Sequence, residues 1–230
     1  MHGVLLLQAK DGKTIAVADQ TYTVRGDEVR SELIFHFRDG SIDDEVAEFR
    51  QGANFELIRD HHVQKGHSFP HPLDMTVDVP KGQVTWQETK DGKDDIQTQH
   101  MDLPPDLVNG MLALAVQDFP SGTDELKTSY MAADPKPRLV QFVIRRTGED
   151  RVRVGGTSRR TIRYNLHIEI GGLAGAIAPI IGKQPSDITL WVLEGDVPML
   201  IRLEGALYPQ GPTWNMVLTS PTWPSVARTK

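Results

Sequence analysis

Apolar and polar residues alternate with a period of two over most of residues 21–219, and short turn pairs interrupt the alternation. Successive side chains of a β-strand point to opposite sides, so this period predicts strands with one buried face. Turn pairs such as Asp39-Gly40 and Lys81-Gly82 are typical of hairpins. Hairpins produce an antiparallel sheet, whereas a doubly wound parallel fold would need many crossover helices.

One segment breaks the alternation and predicts a helix near residues 104–117. Pro104 and Pro105 suit a first helical turn, and Asp106 places a carboxylate near the positive helix end. An apolar stripe follows at helical spacing, made of Leu107, Val108, Met111, Leu112, Leu114 and Ala115. We therefore expect a mainly β fold: a curved antiparallel sheet, either a half-barrel or a barrel, with this helix packed on it.

Length and composition indicate one ordered domain. The chain has 230 residues, of which 39% are hydrophobic, and this fraction excludes overall disorder. We expect a single β-rich domain over residues 1–230, with a loose tail at 225–230.

Charge and cysteine content exclude several kinds of partner and site. The 31 acidic residues outnumber the 25 Lys and Arg, and the net charge of -6 argues against a nucleic-acid binder. No run approaches the ~20 apolar residues of a membrane span, so none is expected. Because the chain has no cysteine, disulfides, thiolate nucleophiles and cysteine-containing metal sites are excluded.

The strand predicted around residues 55–65 has one apolar and one polar side. Strict alternation places Phe55, Leu57 and Val63 together on the first side. It places Asp60 and His62 together on the second side, away from Leu57.

The densest polar signal in the chain is the stretch 60–74, which holds four of the eight histidines. His67 and His71 would have to converge from a loop, because the prolines around them prevent a helix. Imidazole and carboxylate groups bind zinc and other divalent ions, so the stretch suggests a metal site. Its candidate ligands are Asp60, His62, His67, His71 and Asp74. The alternative is a solvated strand end followed by a polar loop.

A second polar stripe lies on the strand predicted at 161–170. There Arg163, Asn165, His167 and Glu169 alternate with apolar residues. If this polar side faces water, it is an ordinary exposed face. If it lines the barrel interior, His167 and Glu169 would share a cavity and serve as catalytic acid and base.

Two further segments allow more than one interpretation. The acidic run at 43–48 is typical of a charged hairpin shoulder, with paired carboxylates for glycoside cleavage as the alternative. The Ala-, Gly- and Ile-rich stretch at 171–183 fails as a phosphate loop, because six residues rather than four separate Gly175 from Gly182. It is either a tight connection on the core or an apolar lip at the mouth of a barrel.

Four short motifs resemble those of a family of exported bacterial proteins of unknown function. They are Asp39-Gly40-Ser41-Ile42-Asp43-Asp44-Glu45, Val63-Gln64-Lys65-Gly66, Leu103-Pro104-Pro105-Asp106-Leu107 and Ile180-Ile181-Gly182-Lys183-Gln184-Pro185. The likeness runs over about residues 21–223, and the family is in turn similar to the half-barrel of periplasmic lipoprotein carriers. The resemblance implies the half-barrel fold and export to the periplasm, with the signal already removed. It implies no catalytic residue. From the residues alone, a cytoplasmic location stays open.

Two functions follow as hypotheses. The first is a half-barrel binding module for an apolar ligand: a lipid, an acyl chain or a lipoprotein-like partner. The second is a metal-assisted hydrolase of an ester or phosphoester, in which zinc or another divalent ion held by the histidine stretch activates water.

Overall fold

The structure is a computed structural model that describes residues 2–52, 54–90, 93–116, 119, 123–133, 136–154, 157–169, 184–193 and 199–222. Its strands are β1 (His2–Gln8), β2 (Thr14–Arg25), β3 (Glu28–Phe37), β4 (Ile42–Gln51), β5 (Phe55–Lys65), β6 (Leu73–Asp78), β7 (Gln83–Lys90), β8 (Lys93–His100), β9 (Glu125–Ala133), β10 (Pro137–Val154), β11 (Thr157–Glu169), β12 (Ile188–Leu193), β13 (Met199–Gly205) and β14 (Trp214–Thr222). One helical turn, α1 (Leu112–Ala115), lies between β8 and β9.

All fourteen strands form one antiparallel sheet. From one edge, β8 to β1 lie side by side in reverse chain order, then β14 lies beside β1, and β13 to β9 continue to the other edge. We call β1–β8 the N-terminal wing and β9–β14 the C-terminal wing. The wings join along β1 and β14, where Leu7 lies opposite Met216.

The core lies between the inner faces of the two wings. Phe35 and Phe37 of β3 are buried there, as the period of two predicts. The sheet bends so that the wings face each other, and the ring of Phe37 lies 5.6 Å from the ring of Trp214 on β14. Apolar side chains that alternate along each strand thus supply both walls of one hydrophobic core.

The prediction of a mainly β, antiparallel sheet is confirmed, but the closed barrel is wrong. In the described part of the chain, β8 and β9 are edge strands of an open sheet and do not pair with each other.

The helix predicted near residues 104–117 is also wrong, since residues 104–116 contain only the single turn α1. We call residues 101–116 the plug. Leu107, Val108 and Met111 are buried as the stripe suggested, but they lie outside any helix. Ala115, the last residue of α1, and Val116, which follows it, are also buried. The plug pairs with edge strand β9, where the N–H of Val108 donates to the carbonyl of Ser129 at 3.0 Å.

Two plug residues explain why the helix does not form. The Asn109 side chain is fully buried, donating to the carbonyl of Met131 at 3.0 Å and accepting from the Met131 N–H at 2.8 Å. Gly110 has a φ of 64°, which interrupts a right-handed helix. A Cβ atom at Gly110 would lie 2.4 Å from Cβ of Ala47 and 3.0 Å from Oδ1 of Asp60. The chain therefore turns there to approach the sheet closely.

Some predictions concern residues outside those described, namely the apolar stretch 171–183 and the tail 225–230. The described residues contain no apolar helix of the length that crossing a bilayer requires.

Candidate binding site

A row of polar side chains crosses the inner face of the N-terminal wing, next to the apolar core. In the register of β4 with β5, Asp43 lies opposite Gln64 and Glu45 lies opposite His62. Asp60 follows on the same face of β5 and is fully buried. These five side chains form the polar cluster.

A β-bulge corrects the side assignment that strict alternation gave for β5. The pairing shifts between Glu48 and Phe49 of β4, so that Leu57 pairs with Phe49 and Arg59 pairs with Glu48. The bulge reverses the side chains that precede it, so Leu57 is buried on the same inner face as Asp60. The shift is not visible in the hydrophobic pattern here, because the inward residues after the bulge, Asp60, His62 and Gln64, are polar.

His62 lies between two carboxylates. Its Nε2 atom is 2.7 Å from Oδ1 of Asp43, and its Nδ1 atom is 3.9 Å from Oε1 of Glu45. Burial lowers the pKa of His62, but Glu45, Asp43 and Asp60 together outweigh burial and raise it to about 10. The imidazole is therefore a cation at neutral pH.

Two carboxyls of the cluster, Asp60 and Glu45, retain their protons more strongly than in water. Burial is the main cause that raises the pKa of Asp60 well above its ordinary value, and the charge of Glu45 adds to it. Neither oxygen of Asp60 has a hydrogen-bond partner among the described residues. The neighbouring Asn109 amide lowers the pKa of Asp60, but its hydrogen bonds are made to the backbone of Met131. Burial likewise raises the pKa of Glu45, although His62 opposes it.

A cavity of about 170 Å³ opens beside the cluster, and we call it the acidic lobe. Asp43, Glu45 and His62 form its polar wall, together with the phenol of Tyr22, whose pKa burial raises to about 12. The remaining wall comes from both wings and the plug and is mostly apolar, including Leu33, Phe35, Leu112, Phe142, Leu190, Leu203 and Met216.

A second cavity of about 180 Å³ adjoins the first, and we call it the arginine lobe. His62 and Tyr130 line both lobes. Arg138 of β10 also lines the arginine lobe, and its Nε atom is buried with no hydrogen-bond partner in the described chain. Among the described residues, the charged or titratable ones that line it are Arg138, His62, His71 and two tyrosines, with no carboxylate.

The structure separates the residues predicted to bind a metal. Asp60 and His62 lie in the core, while Asp74 lies on the outer face, 3.0 Å from Nε2 of His61. His67 and His71 are exposed in the loop between β5 and β6, and His71 borders the arginine lobe. Within the described ranges, no three His, Asp or Glu side chains are grouped to hold a metal ion. Zinc or another divalent ion as a cofactor stays a prediction.

The proposed catalytic pair requires His167 and Glu169 to line the interior, and the structure places them on the other face of β11. The inward positions of that strand are apolar, with Ile162 and Leu166 fully buried. The Nδ1 atom of His167 lies 2.7 Å from Oδ1 of Asp187, and about a third of the His167 side chain is exposed. This arrangement matches the alternative interpretation, an outer sheet face.

Sequence reasoning missed Asp43, Glu45 and Arg138, although a signal was present for each. Asp43 and Glu45 have the same parity as the buried Ala47 and Phe49 of β4, so alternation points them inward. Arg138 has the same parity as the buried Val140 and Phe142 of β10. Charge alone led to the interpretation of an exposed shoulder. Tyr130 carries no such signal.

No family model matches the chain, and comparisons with curated proteins and with solved structures give no match either. The resemblance to a family of exported proteins therefore stays a prediction.

Proposed function

We propose that this protein binds a small, mainly apolar molecule in the acidic and arginine lobes. The observation that carries the proposal is the pair of adjoining cavities, of about 170 and 180 Å³, between the inner faces of the two wings. An apolar cavity of ~150 Å³ in a protein core accepts benzene, so each lobe has room for a ring or a short chain.

The composition of the lining supports a binding function. Binding pockets for small molecules typically have apolar walls with a few polar groups that orient the ligand. Both lobes fit this description, because Phe142 and Ile188 form shared apolar wall and His62 supplies a shared polar group. We expect a ligand whose apolar part is transferred from water to these walls and whose polar end contacts one of the polar groups of the lining.

Binding of a neutral apolar dye such as Nile red tests the proposal. Leu33→Trp should fill part of the acidic lobe, weaken dye binding at least about tenfold and leave the melting temperature unchanged or higher. Val17→Trp is the matched control, since Val17 is an exposed residue on neighbouring strand β2. Ala206→Leu fills the space that both lobes share from the C-terminal wing. Equal dye binding by wild type and both filled variants would contradict the proposal.

The export expected from the resemblance, and a lipid or a lipoprotein-like partner as the ligand, stay part of this hypothesis. Native mass spectrometry of protein purified under mild conditions tests the lipid as ligand, because a retained ligand appears there as added mass, and cell fractionation tests export.

A further inference from the structure

Resting on the proposed function, we propose that the ligand is an amphipathic carboxylate whose head group binds Arg138 in the arginine lobe. Its apolar chain would extend along Phe142 and Ile188 toward the acidic lobe. The inference names the chemistry of the head group, which the cavities alone leave open.

Arg138 has an unpartnered hydrogen-bond donor inside the protein. A buried N–H group is normally hydrogen-bonded, because an unpaired buried donor is unfavourable. Arg138 is partly buried, and its Nε atom is shielded from solvent with no hydrogen-bond partner among the described residues. Its position on β10 directs it inward, on the same face as Val140 and Phe142. A bound anion would supply the missing partner.

Charge is distributed unevenly between the two lobes. The chain as a whole has a net charge of -6, yet among the described residues no Asp or Glu lines the arginine lobe. Arg138 and His71 line the arginine lobe and His62 lines both lobes, whereas the carboxylates Asp43 and Glu45 line the acidic lobe. An anionic head group is therefore attracted to the arginine lobe and repelled from the acidic lobe.

The guanidinium of Arg138 has the geometry to bind a carboxylate. The planar guanidinium donates two parallel hydrogen bonds to a carboxylate, an arrangement that the ammonium of lysine does not reproduce. The buried Nε–H of Arg138 is one such donor. The phenol of Tyr130 also lines the lobe, and its pKa is raised well above the ordinary value by burial, so it stays protonated and can donate to the same anion.

The test compares three ligands of equal chain length at neutral pH: octanoate, octanol and octylamine. Isothermal titration calorimetry should show that octanoate binds wild type at least about tenfold more tightly than octanol, as expected for a charge-assisted hydrogen bond. Arg138→Met should abolish this preference but retain octanol binding, and Arg138→Lys should retain part of it. The control is Arg145→Met, which removes a half-exposed arginine on the outer face of β10, paired with Glu125, and should keep the preference.

The outcomes separate this inference from the proposed function. Binding of all three ligands with octylamine the tightest would overturn the inference, because the acidic lobe would then hold the head group. A preference for octanoate that persists in Arg138→Met would overturn it as well. If none of the three ligands binds, the proposed function itself fails.

Discussion

Gln64 donates from one amide nitrogen to Oδ2 of Asp43 at 3.1 Å and to the carbonyl of Leu207 at 2.9 Å. Asp43 accepts with its other oxygen from His62, so the polar cluster of the N-terminal wing is hydrogen-bonded to the loop between β13 and β14. This connection fixes the wall that the two lobes share. Ionisation of the cluster therefore affects both the stability of the fold and the shape of the cavity.

The stability of the fold should fall as pH rises from 6.5 to 10, in part because of His62. Its pKa is about 10 in the folded chain against an ordinary 6.5, so the folded state holds the proton more tightly. The stabilisation is fully present below pH 6.5 and is lost as pH rises through 10, at up to about 1.4 kcal/mol per pH unit. Denaturant unfolding at several pH values should show a shallower fall for His62→Gln. His61→Gln, on the opposite face of β5, should behave like wild type.

Replacing Asp60 by Asn should stabilise the protein at pH 8. The pKa of Asp60 is raised in the folded state, so its contribution is favourable at low pH and is lost as pH rises above the ordinary value of 3.8. A neutral amide at this buried position avoids ionisation, and we expect a gain of at least about 1 kcal/mol in unfolding free energy. Asp102→Asn changes an exposed carboxylate of the plug and should have no effect. A loss of stability in Asp60→Asn would show that the ionised carboxylate is required.

Gly110→Ala should destabilise the protein more than alanine does at an ordinary turn glycine. Gly110 and Gly12 both have positive φ, but no atom lies within 4 Å of a Cβ at Gly12, whereas Ala47 would be 2.4 Å from one at Gly110. Gly12→Ala thus measures backbone strain alone, about 1 to 2 kcal/mol. Gly110→Ala should cost about 1 to 3 kcal/mol more, because the plug must move away from β4. Equal melting temperatures for the two variants would argue against close packing there.

Asn109→Ala should release the plug from β9. The substitution leaves the N–H and the carbonyl of Met131 without their partner in the core, which costs roughly 2 to 4 kcal/mol. Hydrogen exchange of the Met131 amide should accelerate more than global unfolding explains. Asn165→Ala, on the outer face of β11, is the control, and unchanged exchange at Met131 in Asn109→Ala would contradict the assignment.

The period of two was sufficient to predict the sheet, because burial of one face is the dominant physical constraint on each strand. The same period indicated that Asp60 and His62 share a face, which they do. It did not predict the bulge before Asp60, because the inward positions that follow the bulge are polar and do not continue an apolar alternation.

The plug shows a different limit. Leu107, Met111 and Leu114 have helical spacing, and the first two are buried, but Asn109 and Gly110 satisfy tertiary contacts that a helix would not allow. Local pattern thus identified which residues enter the core and misjudged the conformation that brings them there. The polar cluster was only half recognised, because Asp43 and Glu45 resemble surface residues until their partner His62 is known.

The pairing of β1 with β14 has a consequence for biosynthesis. A ribosome delivers β14 after every other strand, and β14 alone connects β13 to β1. Until it emerges, the nascent chain consists of two separate partial sheets, each with apolar surface exposed. The acidic and arginine lobes are not yet enclosed at that stage. On the proposed function, a ligand can be enclosed between the two wings only after β14 has emerged.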